Sequence, residues 1–482
     1  MTQSTTAAIA WLEENEPAAL DRLCAWLAMP SVGTDPAYDA DTRRAAEWCA
    51  DHLRESGFDV SLEETAGLGK TADGRGQPIV LATCGDDSTP GPHVLFYGHY
   101  DVQPADPVEL WESGPFEPVV KNGPDGKMIV ARGASDDKGQ VAMFLEAMRA
   151  WKETGGPVGG GVRWTVLIEG EEESGSANLE AFLDREKERL GACDVCVISD
   201  TGMLARGRPA ITYGVRGLTY TEVVLHGPDR DLHSGMWGGR CPNPINELAK
   251  VLADLWDTYN RVSIPGFYDG VNGPVTEERD AWRDLGRDAE TQLKTIGLGP
   301  EADMGEAGWT DVEREWGRPT CDINGIVGGY TGAGAKTVIP SHASAKVSFR
   351  LVDDQDPNMI RSAFFAWLRE RTPQGCRWEL IDHGGGMPAT VAVDSPYLRA
   401  AASAIESACG VAPAMIKTGG SIPVAGLLKQ NLGLETVFMG FGLDDDCVHS
   451  PNEKFEVDCF RMGAKSHIEL CSALAGLVVS PG

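Results

Sequence analysis

The sequence has no stretch of about eighteen or more consecutive apolar residues, so no membrane-spanning helix is expected. Nor does its N-terminus, Met-Thr-Gln-Ser-Thr-Thr, carry the basic segment of a signal peptide, and Glu13, Glu14 and Glu16 interrupt the apolar residues that follow. A cytoplasmic location is therefore expected. Cationic residues are scarce: 42 Lys and Arg stand against 72 Asp and Glu, for a formal net charge of -30. A field of that sign repels nucleic acid and anionic membrane, so neither is an expected partner. Most of the acidic excess serves solubility, and part of it fits carboxylates gathered around cations. The twelve cysteines form no framework of spaced pairs, and free thiols are expected. Cys193-Asp194-Val195-Cys196 has the spacing of a redox or zinc pair. It lies in an apolar run with no second pair, and reads as a strand.

A chain of 482 residues exceeds one ordinary hydrophobic core, so two or three domains are expected. Its 42% hydrophobic and 24% charged residues are those of a globular protein. Helical spacing of apolar residues predicts helices over 9–27, 42–56 (capped by Asp41 or Thr42), 139–151 and 178–190. Short apolar runs predict strands at 79–83, 93–97, 162–168 and 195–198. Such alternation predicts an α/β sheet with helices on its faces. The texture changes after about residue 213. Strands are predicted at 218–225, 343–351 and 378–381, and helices over 244–259 and 359–371. A charged, irregular section at 265–319 is too long for a simple loop. We read residues 214–383 as an inserted α+β domain, with Gly384-Gly385-Gly386 as its flexible return. Residues 1–213 and 384–482 then form one domain between them.

Ionisable side chains recur at the ends of the apolar runs. Val94-Leu95-Phe96-Tyr97-Gly98 leads directly into His99-Tyr100-Asp101. Residues two apart on an extended chain share a side, so Asp101 is placed to take a ring N–H of His99 and fix its tautomer. Gly133-Ala134-Ser135-Asp136-Asp137-Lys138-Gly139 opens a helix that a single aspartate would suffice to cap. Val166-Leu167-Ile168 runs into Glu169-Gly170-Glu171-Glu172-Glu173, and Val197-Ile198-Ser199 into Asp200. Four glutamates in five residues usually mark a solvated face, which has no reason to sit at the end of a buried strand. His449 lies in a polar loop, Cys447-Val448-His449-Ser450-Pro451-Asn452-Glu453. Strand ends on one edge of an α/β sheet are where such sheets bind ligands. Two imidazoles and several carboxylates gathered there suit zinc, manganese or cobalt, with zinc the default. A shared aspartate with two further ligands per ion is the layout of a two-metal hydrolase. Gly329-Tyr330-Thr331-Gly332-Ala333-Gly334-Ala335-Lys336-Thr337 has the glycines of a phosphate-binding loop. Ala335 breaks its Gly-Lys-Thr core, and no hydrophobic strand is expected to lead directly into it.

In its motifs and their order the sequence resembles the M20 family of metallopeptidases, and within it the cytosolic nonspecific dipeptidase and carnosinase branch. The resemblance rests on Gly98-His99-Tyr100-Asp101-Val102-Gln103-Pro104, Arg132-Gly133-Ala134-Ser135-Asp136-Asp137-Lys138-Gly139, Glu172-Glu173-Ser174-Gly175-Ser176 and Ser199-Asp200. It continues through Asp231-Leu232-His233-Ser234-Gly235, Gly334-Ala335-Lys336-Thr337-Val338-Ile339-Pro340, Gly419-Gly420-Ser421-Ile422-Pro423 and His449-Ser450-Pro451-Asn452-Glu453, nearly the whole chain. It implies a zinc-peptidase-like α/β catalytic domain with a central mixed sheet flanked by helices. It also implies an inserted α+β, ferredoxin-like lid and dimerisation domain, and hence a homodimer.

The same resemblance implies two divalent cations bridged by Asp136. His99 and Asp200 would complete one position, Glu173 and His449 the other. Asp101 matches the residue that orients His99, and Glu172 the general base. Asp136-Asp137 matches a cis peptide. His233 matches a histidine that stabilises the oxyanion across the dimer. Arg350 matches an arginine that grips the substrate carboxylate, with Thr337, Gly420 and Ser421 around it. The implied reaction is hydrolysis of dipeptides or other small peptides with a free C-terminal carboxylate. Two other outcomes remain open: an amidohydrolase acting on N-acyl amino acids, and an inactive scaffold that kept the fold.

Overall fold

The structure, a computed structural model, describes residues 3–69 and 74–477. The chain divides into two compact units, 1–213 with 391–416 and 428–482, and 214–390 with 417–427. The first unit is built on a mixed sheet. Seven of its strands, in spatial order, are Asp59–Glu63, Ile79–Cys84, Arg163–Glu169, His93–His99, Val195–Ile198, Thr436–Phe438 and Ala210–Val215. Arg163–Glu169, His93–His99, Val195–Ile198 and Thr436–Phe438 run parallel to one another. Their residues are buried almost throughout, as parallel strands covered on both faces require. Because they are parallel, their carboxyl ends share one edge, and His99 ends one of them.

Helices Lys138–Glu153 and Val457–Ala475 pack against each other in this unit. Fully buried His467, on the second of them, meets the rings of Phe96 and Phe144 edge-on, each 5.7 Å away between centroids. Its Nε2 lies 3.0 Å from Ser199 Oγ, and its Nδ1 has no hydrogen-bond partner. Burial pushes this imidazole down to about 3. The unfolded chain takes up a proton as the pH falls through about 6.5, whereas the folded chain does so only near 3. Stability is therefore lost progressively across that window as the pH falls. Between pH 7 and 5 the His467 contribution amounts to about 2 kcal/mol. Urea unfolding at both pH values should show a correspondingly smaller acid loss in His467→Leu; an equal loss in both proteins would remove His467 as the cause.

The second unit carries a four-stranded antiparallel sheet in the order Thr320–Gly328, His342–Leu351, Gly217–His226, Arg377–Gly386. Helices Pro244–Ala253 and Pro357–Glu370 connect its strands, giving two interleaved β-α-β units, a ferredoxin-like arrangement. Alternate residues of Gly217–His226 and His342–Leu351 point into one core, where Val223, Leu225, Val347 and Phe349 meet Leu248, Phe364 and Trp367.

The structure departs from the sequence reading where local chemistry overrides periodicity. The helix expected over 9–27 is two helices, Gln3–Glu14 and Glu16–Leu27, with Pro17 in the first turn of the second. Residues 178–190 likewise divide into Leu179–Arg185 and Lys187–Leu190. Asp39–Glu55 begins before Thr42, whose hydroxyl donates back to the Tyr38 carbonyl instead of capping. The irregular 265–319 section contains Thr276–Asp284, Ala289–Thr295 and Asp311–Gly317. It is knitted by a buried Arg318–Glu306 pair and by Trp282 edge-on to Trp316. Gly384-Gly385-Gly386 is no linker. It belongs to strand Arg377–Gly386, and the chain leaves the second unit after residue 390, returning for 417–427. A strand, Thr320–Gly328, leads into Gly329, but it mixes polar with apolar residues and is mostly exposed or half-buried rather than a hydrophobic run. No helix follows before Val338–Ile339, so the segment is still not a phosphate-binding loop. Cys193 and Cys196 are buried, Cys196 within strand Val195–Ile198, and all twelve cysteines are free.

Candidate metal centre and active site

At the shared strand edge of the first unit, two groups of ligand-type side chains converge. His99, Asp136 and Asp200 form one group and Asp136, Glu173 and His449 the other, with the ligand atoms of each within 4.8 Å of one another. Strand geometry explains the meeting. His99 lies opposite Glu169 in the parallel register, so the turn after Glu169 carries Glu172 and Glu173 to the same edge. Asp200 follows strand Val195–Ile198, Asp136 precedes helix Lys138–Glu153, and His449 lies on the loop before strand Lys454–Glu456.

The two oxygens of Asp136 face in different directions. Oδ1 is 3.2 Å from His99 Nε2, and Oδ2 is 2.9 Å from His449 Nε2. His99 Nε2 also lies 3.8 Å from Asp200 Oδ2, and His449 Nε2 lies 3.3 Å from Glu173 Oε2. The Asp136-Asp137 peptide is cis. Asp101 meets His99 with its main chain as well as its side chain. Its main-chain carbonyl is 3.0 Å from His99 Nδ1, while its carboxylate, 3.4 Å from that nitrogen, accepts the N–H groups of Glu172 and Glu173 at 3.2 and 3.0 Å. One residue thus holds His99 with its backbone and the Glu172-Glu173 turn with its side chain.

The donor set fits divalent cations. His99 Nε2 is buried without a hydrogen-bond partner, and it points at carboxylate oxygens. With its Nδ1 committed to Asp101, the free nitrogen is the one left for a metal. Burial, then the charge of Asp136, raises Asp200 to about 7. Burial, then Asp200, Asp101 and Glu173 against the opposing charge of His99, holds Glu172 up at about 9. Asp136 stays well below the usual carboxylate range despite burial, because the imidazoles of His449 and His99 lie against its two oxygens. The positive charge of two divalent cations would offset the burial and crowding that oppose ionisation of Asp200 and Glu172.

The remaining expected site residues lie in the second unit. His233 ends the two-residue strand Leu232–His233, is exposed, and accepts the Gly235 N–H on Nδ1 at 3.0 Å. In its neutral form the proton therefore resides on Nε2. Thr337 sits beside it, its carbonyl accepting the Ser234 N–H at 3.1 Å. Arg350 Nη1 donates to Ser421 Oγ at 2.7 Å. Sequence reasoning missed Arg216. Its backbone N–H donates to the Gly420 carbonyl at 3.1 Å, and its Nε donates to the Gly419 carbonyl at 2.9 Å. Burial, then the charge of Arg350, lowers its guanidinium to about 10. No spacing rule connects Arg216 to a loop some two hundred residues later; only the fold does.

A shared carboxylate between two ligand groups at the carboxyl edge of an α/β sheet is an arrangement that metal-dependent hydrolases use. Residues 95–473 match peptidase family M20/M25/M40, and the chain belongs to that family. The Cys-Gly metallodipeptidase DUG1 of Candida albicans is 32% identical over 468 residues, covering 94% of each chain. The Beta-Ala-His dipeptidase of Homo sapiens is 32% identical over 443 residues, covering 89% of this chain and 84% of the human one. The solved structure of the dipeptidase Dug1p from Saccharomyces cerevisiae is similar with a TM-score of 0.80 at 28% identity, over 98% of this chain and 99% of that one. Among the described residues no helix is long and apolar enough to cross a membrane.

Proposed function

We propose that the chain hydrolyses dipeptides and other small peptides with a free C-terminal carboxylate, with two divalent cations, zinc by default, held on either side of Asp136. The observation that carries this reading is the Asp136 carboxylate, with one oxygen toward His99 and the other toward His449. The relatives named for Cys-Gly and Beta-Ala-His cleavage support the substrate class. When bound, the cations supply Lewis acidity toward the attacking water and the scissile carbonyl. Glu172 takes the water's proton on its carboxylate and delivers it to the leaving amine nitrogen. The Nε2–H of His233 donates to the developing oxyanion, reaching it from the partner copy of a homodimer formed through the inserted domain. Arg350 holds the substrate carboxylate through a guanidinium fork, with Ser421, Gly420 and Thr337 beside it.

Release of amino acid from unmodified dipeptides is expected to exceed release from N-acetyl amino acids. Activity on the acylated compounds alone would replace the peptidase reading with a deacylase one. His233→Ala should lower kcat by roughly 10²–10³-fold, the effect of removing one oxyanion donor, with metal content unchanged. Unaltered turnover would take His233 out of that role.

A further inference from the structure

Glu453 is completely buried, and it lies just beyond His449 in the same loop. Both of its carboxylate oxygens are fully engaged. Oε1 accepts the N–H groups of Ser135 at 2.9 Å and Asp136 at 3.0 Å. Oε2 accepts the Gly133 N–H at 2.9 Å and the Arg132 guanidinium at 2.7 Å. The Glu453 carbonyl takes a further bond, from the Ala131 N–H at 3.1 Å. Backbone N–H groups converging in a turn make a nest for an anion. Here the anion is a side chain from the distant C-terminal region. All of these partners belong to the turn that carries Asp136.

The other end of the link is the His449 loop. Cys447, His449 and Asn452 have φ values of 56°, 60° and 64°, a left-handed region that residues with side chains populate sparsely. A loop keeps such a shape only where its surroundings over-determine it. Asn452 contributes, donating to the Leu110 carbonyl at 2.9 Å and accepting the Glu112 N–H at 2.7 Å. Asp446 contributes by accepting from Ser135 Oγ at 3.0 Å. Among the described residues, only Glu453 bonds the backbone of Asp136 itself from this loop. Among the described residues Glu453 makes no hydrogen bond to His99 or Asp200, which stand at or just past strand ends.

We propose that Glu453 is a positioning residue: it sets the register of Asp136 against His449 and so governs the ion held by Glu173 and His449 more than the one held by His99 and Asp200. The proposal rests on the two-ion reading above. It is tested by titrating the metal-free full-length protein with zinc against a chromophoric chelator, as wild type, as Glu453→Gln and as the double variant Glu453→Gln with Arg132→Met. The glutamine keeps the side-chain shape but turns one acceptor into a donor facing N–H groups. The double variant leaves no unpaired guanidinium buried, so a folding failure of the single variant does not decide the question. Wild type is expected to take up two ions. Both variants should keep one ion at wild-type affinity and hold the other about 10–100-fold more weakly, the usual consequence of disturbing a residue behind a metal ligand. Two ions at unchanged affinity overturn the proposal. Equal weakening of both ions overturns it too, marking Glu453 as general support for the fold. A wild type that binds a single ion overturns the two-ion reading, and the proposal with it.

Discussion

Replacing Glu172 with glutamine should lower kcat for dipeptide hydrolysis by roughly 10²–10⁴-fold, the contribution of a positioned general acid–base, while leaving metal content at the wild-type level. The two effects separate because of how the turn is built. Glu172 and Glu173 are neighbours, yet only Glu173 belongs to a ligand group. The turn itself is fixed by Asp101, which accepts the backbone N–H of both residues. Glutamine preserves those backbone bonds and the side-chain volume. It removes only the oxygen that can take a proton. The environment argues for the same residue: burial, followed by the charges of Asp200, Asp101 and Glu173, makes the Glu172 carboxylate reluctant to stay ionised. A carboxylate with raised proton affinity is suited to accept a proton from water, and bound cations would offset the neighbouring charge. The test is kcat alongside elemental analysis of the purified protein. Turnover within about tenfold of wild type would assign the base elsewhere.

Asp136→Ala should empty both metal positions. Its oxygens face His99 and His449 separately, so a single substitution strips one ligand from each group. The loss of affinity should exceed the roughly 10–100-fold that residues behind the ligands produce, because here the ligand itself is gone. His449→Ala is the contrast, since it touches only the group containing Glu173. Metal content after dialysis distinguishes the two: near zero for Asp136→Ala, and partial retention for His449→Ala. Asp136→Ala that keeps both ions and full turnover would mean that the aspartate is not shared.

The places where sequence reasoning succeeded and failed have separate physical causes. Strand Val195–Ile198 has the expected bounds, because a short β-branched run between turns has few other uses. The helix expected over 9–27 split at a proline, a local signal that periodicity alone overrode. The 265–319 section looked irregular because its three helices are short and charged. Their order comes from Arg318–Glu306 and Trp282–Trp316, pairs that helical or strand periodicity does not reveal. At the site, motif order singled out the five residues that the structure gathers into two ligand-type groups. It did not show that Asp101 orients His99 through its main chain, nor that Arg216 ties the Gly419-Gly420 loop.

The sequence by itself therefore determined which chemical groups this protein deploys and the order in which they occur. It did so because ligand identity is a property of residue type, and strand ends announce themselves through apolar runs that stop at ionisable side chains. The tertiary structure alone decided how those groups are shared. Parallel strands with a common edge brought His99, Glu173 and Asp200 together, and a nest of backbone N–H groups closed on Glu453 from the opposite end of the chain. Which Asp136 oxygen faces which imidazole depends on contacts between residues hundreds of positions apart, and those exist only once the sheet has formed.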